Sequence, residues 1–160
     1  MKARRVAPYA LIVIVAILFD QGVKALVEAW LPLHQQVEIL PFLALLHSRN
    51  TGVAFSFFSG VGGFWLSLLV FGIIIFIAVL AFRTDSAQLL ARLGFALILG
   101  GAIGNLIDRA ARGYVVDYVY FHTPVWSFAI FNLADAFITI GAVLVILEEV
   151  LAYRRERRDS

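Results

Sequence analysis

Four long apolar runs alternate with stretches where polar and apolar residues mix. The runs extend from about Val6 to Leu26, Phe64 to Phe82, Leu89 to Ile107 and Ile130 to Leu151. Each is close to the roughly 20 residues that a helix needs to cross a bilayer. A segment in lipid has to satisfy its own backbone, so each run predicts a helix. Between the first two runs lies Trp30–Gly63, apolar, β-branched and aromatic, punctuated by Pro41 and Gly52. It predicts short strands or an interfacial patch on the membrane surface. Gly60–Gly63 reads as a flexible joint before the second helix. The other long connection, about Asp108–Ala129, reads as a loop. The expected fold is all-α and membrane-embedded, a single domain over residues 1–160 with four transmembrane helices and a small outer β-cradle or interfacial loop.

The first run has the basic start and apolar centre of a secretory signal peptide. It ends in Phe-Asp-Gln-Gly-Val-Lys, with no small-residue cleavage site directly after it, so a retained anchor is expected. Basic residues set the orientation. Lys2, Arg4 and Arg5 precede the first run, Arg83 and Arg92 flank the second connection, and Arg154, Arg155, Arg157 and Arg158 follow the fourth. These outnumber Arg49, Arg109 and Arg112, and place both termini in the cytoplasm with the two longer connections outside.

Composition narrows the chemistry. The chain is 62% hydrophobic, more than a soluble domain of 160 residues can bury, so the excess has to face lipid. It has no cysteine, which removes disulfides and thiolate metal sites. His34, His47 and His122 show no metal-ligand spacing, and no metal or cofactor is expected. The sequence pI of about 9.2 comes largely from the two ends, which suit a membrane surface better than a nucleic acid.

The remaining polar residues gather toward the outer side: Asp20, Lys24, Asn50, Asn105, Asp108, Arg109, Asp117, Asn132 and Asp135. None is expected at the middle of a span, where a proton-coupled transporter usually carries an ionisable group. Asp20 and Lys24 are spaced i, i+4, acid first, as in a helical ion pair. Asn105 shares a helical face with Asp108 and Arg109, and Asn132 shares one with Asp135. Asp135 would lie at the positive end of its helix, whereas Asp117, on a loop, would lack such fixed support. Two carboxylates close together share a proton, and such a pair can take a proton from water and give one to a leaving amine. The residues equally allow blander roles. Asp20 with Lys24 would orient the first helix, Asp108 with Arg109 would form a structural charge set, and the two asparagines would bridge helices. His47 and His122 read as interfacial and idle; Trp30, Trp65 and Trp126 read as interface anchors. Gly100 and Gly104 suit close helix packing. A small multidrug-type transporter and a non-catalytic scaffold are the competing classes.

A resemblance sharpens the choice. Asp-Gln-Gly-Val-Lys (20–24), Asn-Thr-Gly-Val-Ala-Phe (50–55), Gly100–Arg109, Val115–Tyr118 and Phe131–Ile138 occur in order between the four runs. Together they resemble the lipoprotein signal peptidase, or signal peptidase II, family. The resemblance implies a membrane aspartic endopeptidase of the bacterial cytoplasmic (inner) membrane. Such an enzyme removes the signal peptide from prolipoproteins just before a diacylglyceryl-modified cysteine, at the outer face. It implies Asp117 and Asp135 as the catalytic dyad. Asp20, Lys24, Asn50, Gly52, Asn105, Asp108, Arg109, Asn132 and Ala134 would line or support the site. The implied partners are the lipidated precursor, membrane lipid and the inhibitor globomycin. One departure is Tyr118, where the family more often has Phe; the ring is kept.

Overall fold

The computed structural model describes residues 2–52 and 63–159. Of the expected joint at Gly60–Gly63, residues 60–62 lie outside the described residues, as do the motif residues Val53–Phe55, and Gly63 already begins a helix. Four helices are long and apolar enough to cross a membrane. They are α1 (Lys2–Trp30), α2 (Gly63–Arg83), α3 (Leu89–Arg112) and α4 (Leu133–Asp159). The two connections expected to be long carry a four-stranded antiparallel sheet in the order β1 (Gln36–Leu40), β2 (Leu43–Asn50), β3 (Val115–Thr123), β4 (Trp126–Ser127).

Helix α3 is the hub and packs against each of the other three. Small residues make this possible. A Cβ on Gly94 would meet the Gly141 carbonyl oxygen at 2.5 Å, and one on Gly141 would meet the Gly94 carbonyl oxygen at 2.5 Å. On another face, a Cβ on Gly100 would strike Ala16 of α1, and one on Gly104 would strike the Asp20 carboxylate. Without a hydrophobic drive between helices in lipid, such backbone approach is what holds a bundle together. The expected role of Gly100 and Gly104 is therefore met. In contrast, no residue in the apolar stretch of α2 is fully buried: it touches α3 along one side and leaves the rest to lipid.

Several boundaries differ from the sequence expectation; α1 already begins at Lys2, and α4 runs on past Leu151 to Asp159. Helix α1 continues past Leu26 to Trp30, and α3 continues past Ile107 to Arg112. Helix α3 ends where Gly113 takes a left-handed backbone (φ 79°) and donates its N–H to the Arg109 carbonyl. Helix α4 begins at Leu133, because Ile130 and Phe131 run alongside β3 instead: the Phe131 carbonyl accepts the N–H groups of Tyr118 and Val119.

The sheet exposes a greasy face. Phe42, Phe121 and Phe131 stack in series, and Phe128 meets Phe131 edge-on. Val125 is 95% exposed, and Trp126 and Phe128 are also exposed. An apolar rim of this extent at the end of a membrane bundle suits a lipid surface.

Candidate active site

The Asp117 carboxylate is built by a strand irregularity. Along β2 and β3, Leu45 pairs with Val119, but Ser48 pairs with Asp117, so β2 carries one extra residue over this stretch. Side chains alternate across a sheet, and one extra residue turns all that follows onto the opposite face. This bulge brings Asn50 to the same face as Asp117. Asn50 Nδ2 then donates to Asp117 Oδ2 at 3.0 Å, while Asn50 Oδ1 accepts the Gly52 N–H at 2.8 Å. Gly52 has φ +88°, a conformation costly for other residues, which makes that short turn possible. Asp117 is thus on a strand and firmly held, not on an unsupported loop.

Asp135 is built by a helix cap. Asn132 caps α4: its Oδ1 accepts the Asp135 N–H at 3.1 Å, and Asp135 Oδ2 accepts the Asn132 N–H at 3.2 Å. The exchange is a capping box with Asn and Asp as its members. Asn132 has a second use. Its Nδ2 donates to Asp117 Oδ1 at 2.6 Å, so one side chain touches the main-chain anchor of Asp135 and the carboxylate of Asp117. Asn105 completes the ring, donating from Nδ2 to Asp135 Oδ1 at 2.8 Å. The structure therefore brings Asn50, Asn105, Asp117, Asn132 and Asp135 into one hydrogen-bonded cluster.

Burial sets the electrostatics of Asp117. It is 2% exposed, and burial is the main cause that raises its carboxyl from the ordinary 3.8 to about 6. The bonds from Asn50 and Asn132 oppose the rise, and the charge of Asp135 adds to it. Tyr118 is likewise pushed up to about 12 by burial, and its phenol stays neutral. The hydroxyl that distinguishes Tyr118 from Phe is in use: it accepts the Leu133 N–H at 3.1 Å, at the first turn of α4.

A second layer lies beneath. Lys24 is fully buried and pairs with Asp20 at 2.8 Å and Asp108 at 2.9 Å. Asp20 Oδ1 also accepts the Ala134 N–H at 3.1 Å. Asp108 does not pair with its neighbour Arg109, contrary to the structural charge set expected. It pairs with Arg112, which also binds Glu28 at 3.1 Å. The Arg109 guanidinium instead donates to the Asn105 carbonyl of its own helix at 3.3 Å, and it feels the charges of Asp135, Asp117 and Asp108. Ala134 is fully buried; its carbonyl lies where a Cβ on Gly101 would fall.

Sequence reasoning missed Gln21, Glu28, Arg112 and Tyr114. Gln21 Nε2 lies within hydrogen-bond distance of Asp20, Asp108 and the Gly104 carbonyl, and Tyr114 donates to Glu28 at 3.1 Å. Their one signal was spacing: Gln21, Lys24 and Glu28 share a helical face, as do Asp108 and Arg112. The histidines also differ from expectation. His47 is buried, with Nδ1 2.7 Å from the Leu31 carbonyl, and His122 lies 3.2 Å from Glu38. Among the described residues, no group of three or more His, Asp or Glu could hold a metal ion.

The family model for signal peptidase (SPase) II matches residues 12–151, almost the whole bundle and sheet. The chain belongs to the signal peptidase II family. Curated relatives agree. The lipoprotein signal peptidase of Mesorhizobium japonicum is 55% identical over 154 residues, covering 96% of this chain and 92% of that one. The lipoprotein signal peptidase of Brucella ovis is 53% identical over 157 residues, covering 98% of each. Among solved structures, a bacterial membrane enzyme superposes with a TM-score of 0.78 at 32% identity, over 89% of this chain and 92% of its own. A second, also a bacterial membrane enzyme, gives 0.74 at 31% identity, over 91% and 88%. The signal peptidase II fold of this chain is thus a multi-pass, mostly helical membrane protein, and the chain is a peptidase by family.

Proposed function

We propose that this protein is an aspartic endopeptidase that removes signal peptides from diacylglyceryl-modified prolipoproteins, cutting before the lipidated cysteine. One observation carries the aspartic assignment: Asn132 links the two carboxylates, donating to Asp117 while exchanging bonds with Asp135. Two acids tied to one amide stay at a fixed relation, as acid and base must. Asp117, with its raised carboxyl, carries the shared proton. Asp135 draws a proton from a water whose oxygen attacks the scissile carbonyl carbon, while Asp117 gives its proton to the carbonyl oxygen. The resulting gem-diol collapses as its C–N bond breaks. The departing amine takes a proton from Asp135, and one diol hydroxyl returns its proton to Asp117. Each aspartate ends in the state in which it began.

The relatives, lipoprotein signal peptidases, support a lipoprotein substrate, and the exposed aromatic rim supports a lipidated one. The whole chain, 1–160, acts as one domain. We place it in a bacterial cytoplasmic membrane with both termini cytoplasmic and the sheet outside, and expect globomycin to inhibit it. A non-catalytic scaffold would leave the acid pair unexplained.

The test is cleavage of a lipidated precursor by detergent-purified protein, followed by mass. Asp117→Asn and Asp135→Asn should each abolish cleavage while the protein stays folded, and the double variant should lose no more than either single one. Substantial turnover by either single variant removes that residue from the dyad.

A further inference from the structure

Lys24 is the most deeply buried cation among the described residues, and the chemistry above does not use it. Its ammonium has three N–H donors and nothing that accepts. They go to Asp20 Oδ2 at 2.8 Å, Asp108 Oδ2 at 2.9 Å and Asn105 Oδ1 at 2.9 Å. The first two bonds balance charge, whereas the third orients an amide.

The oxygen and nitrogen ends of an Asn side chain are nearly equal in size, so their partners decide which way it points. Asn105 Oδ1 faces two donors, Lys24 Nζ and Asn132 Nδ2, the latter at 3.3 Å. Turned over, the amide would set its NH2 against an ammonium and a second NH2. It would also present its oxygen to Asp135 Oδ1, with a lone pair facing a lone pair. Of the two donors on Oδ1, Lys24 makes the shorter and charge-assisted bond, 2.9 Å against 3.3 Å from Asn132.

We propose that Lys24 is a positioning residue for the aspartate pair: it locks the Asn105 amide so that Nδ2 donates to Asp135. Asp20 and Asp108 hold the ammonium in place, and Arg112, itself bound to Glu28, holds Asp108. A chain of contacts then runs from the partly exposed Glu28–Arg112 pair inward to a catalytic carboxylate. This rests on the dyad reading. The simpler view, that Lys24 only neutralises two buried acids, makes a different prediction.

The test is a double-mutant cycle in the full-length protein, with kcat and KM measured per folded molecule. Lys24→Met, which keeps the chain length but no donor, should lower kcat by a factor on the order of 10–100, the scale of losing a group that orients another. KM should stay within about twofold, because the lost bond is not to substrate. In an Asn105→Ala background, the same change should lower kcat no more than about twofold further, because the amide it acts through is gone. The drop in unfolding temperature should appear in both backgrounds. If Lys24→Met alone does not fold, the charge-balanced pair Lys24→Met with Asp20→Asn takes its place, since Asp108 keeps Arg112. Equal losses of kcat in the two backgrounds would overturn the proposal, as would a loss confined to stability. Turnover by Asp117→Asn or Asp135→Asn would instead overturn the dyad reading.

Discussion

Asp117 shows what one buried carboxyl does to a pH profile. Its folded value of about 6 lies above its ordinary 3.8. A carboxyl raised on folding adds stability below its unfolded value and loses it as the pH climbs through the folded one. The unfolding temperature should therefore fall between about pH 4 and pH 6, and Asp117→Asn should flatten that slope. Activity shares the sign: the acid must hold its proton, so kcat/KM should decline as the pH rises past about 6. An alkaline limb unmoved by changes at Asp117 would assign the proton elsewhere. Asn50 makes a separate case. Asn50→Ala removes a donor that opposes the rise of Asp117, so its alkaline limb should move upward while turnover falls about 10–1,000-fold. A profile and rate like the wild type would release Asn50 from the site.

At the scale of elements, what was readable depended on the kind of pattern. The four helices were legible because lipid leaves few alternatives to a long apolar run. Their ends were not, since Val27–Trp30 and Asp108–Arg112 mix polar and apolar residues that packing alone assigns to helix. Asn132 and Asp135 carried a legible signal at i, i+3, and the capping box explains it. The bulge in β2 left no trace. In a strand as apolar as Leu43–His47, a slip of one residue changes no hydrophobic pattern, so the pairing of Asn50 with Asp117 had to come from the fold. Close helix approach makes a sharper prediction. Gly101→Ala would drive a Cβ into the Ala134 carbonyl, one residue before Asp135. It should lower both the unfolding temperature and turnover, whereas Gly22→Ala, with open space around it, should leave turnover unchanged. Comparable turnover from the two would mean that α3 and α4 need not approach so closely.

For the molecule as a whole, the proposed orientation rests on the basic ends, and on that proposal a reporter fused after Ser160 should be active only on the cytoplasmic side. Activity outside the cell would reverse the bundle and put the sheet on the wrong face for a translocated precursor. The polar cluster was legible by residue type but not by connection, because its bonds join positions far apart in the chain. The start of α4 shows how far apart. Its first three backbone N–H groups go to the Tyr118 hydroxyl, the Asp20 carboxylate and the Asn132 amide, which come from β3, α1 and the cap itself. Chain order then becomes biogenesis. Asp20 emerges first, Tyr118 much later and α4 last, so the turn that carries Asp135 cannot set until the first helix and the third strand are waiting for it. On the dyad reading, a nascent chain halted just before α4 would hold Asp117 without Asp135. It would then gain hydrolytic capacity only once its last span is in place.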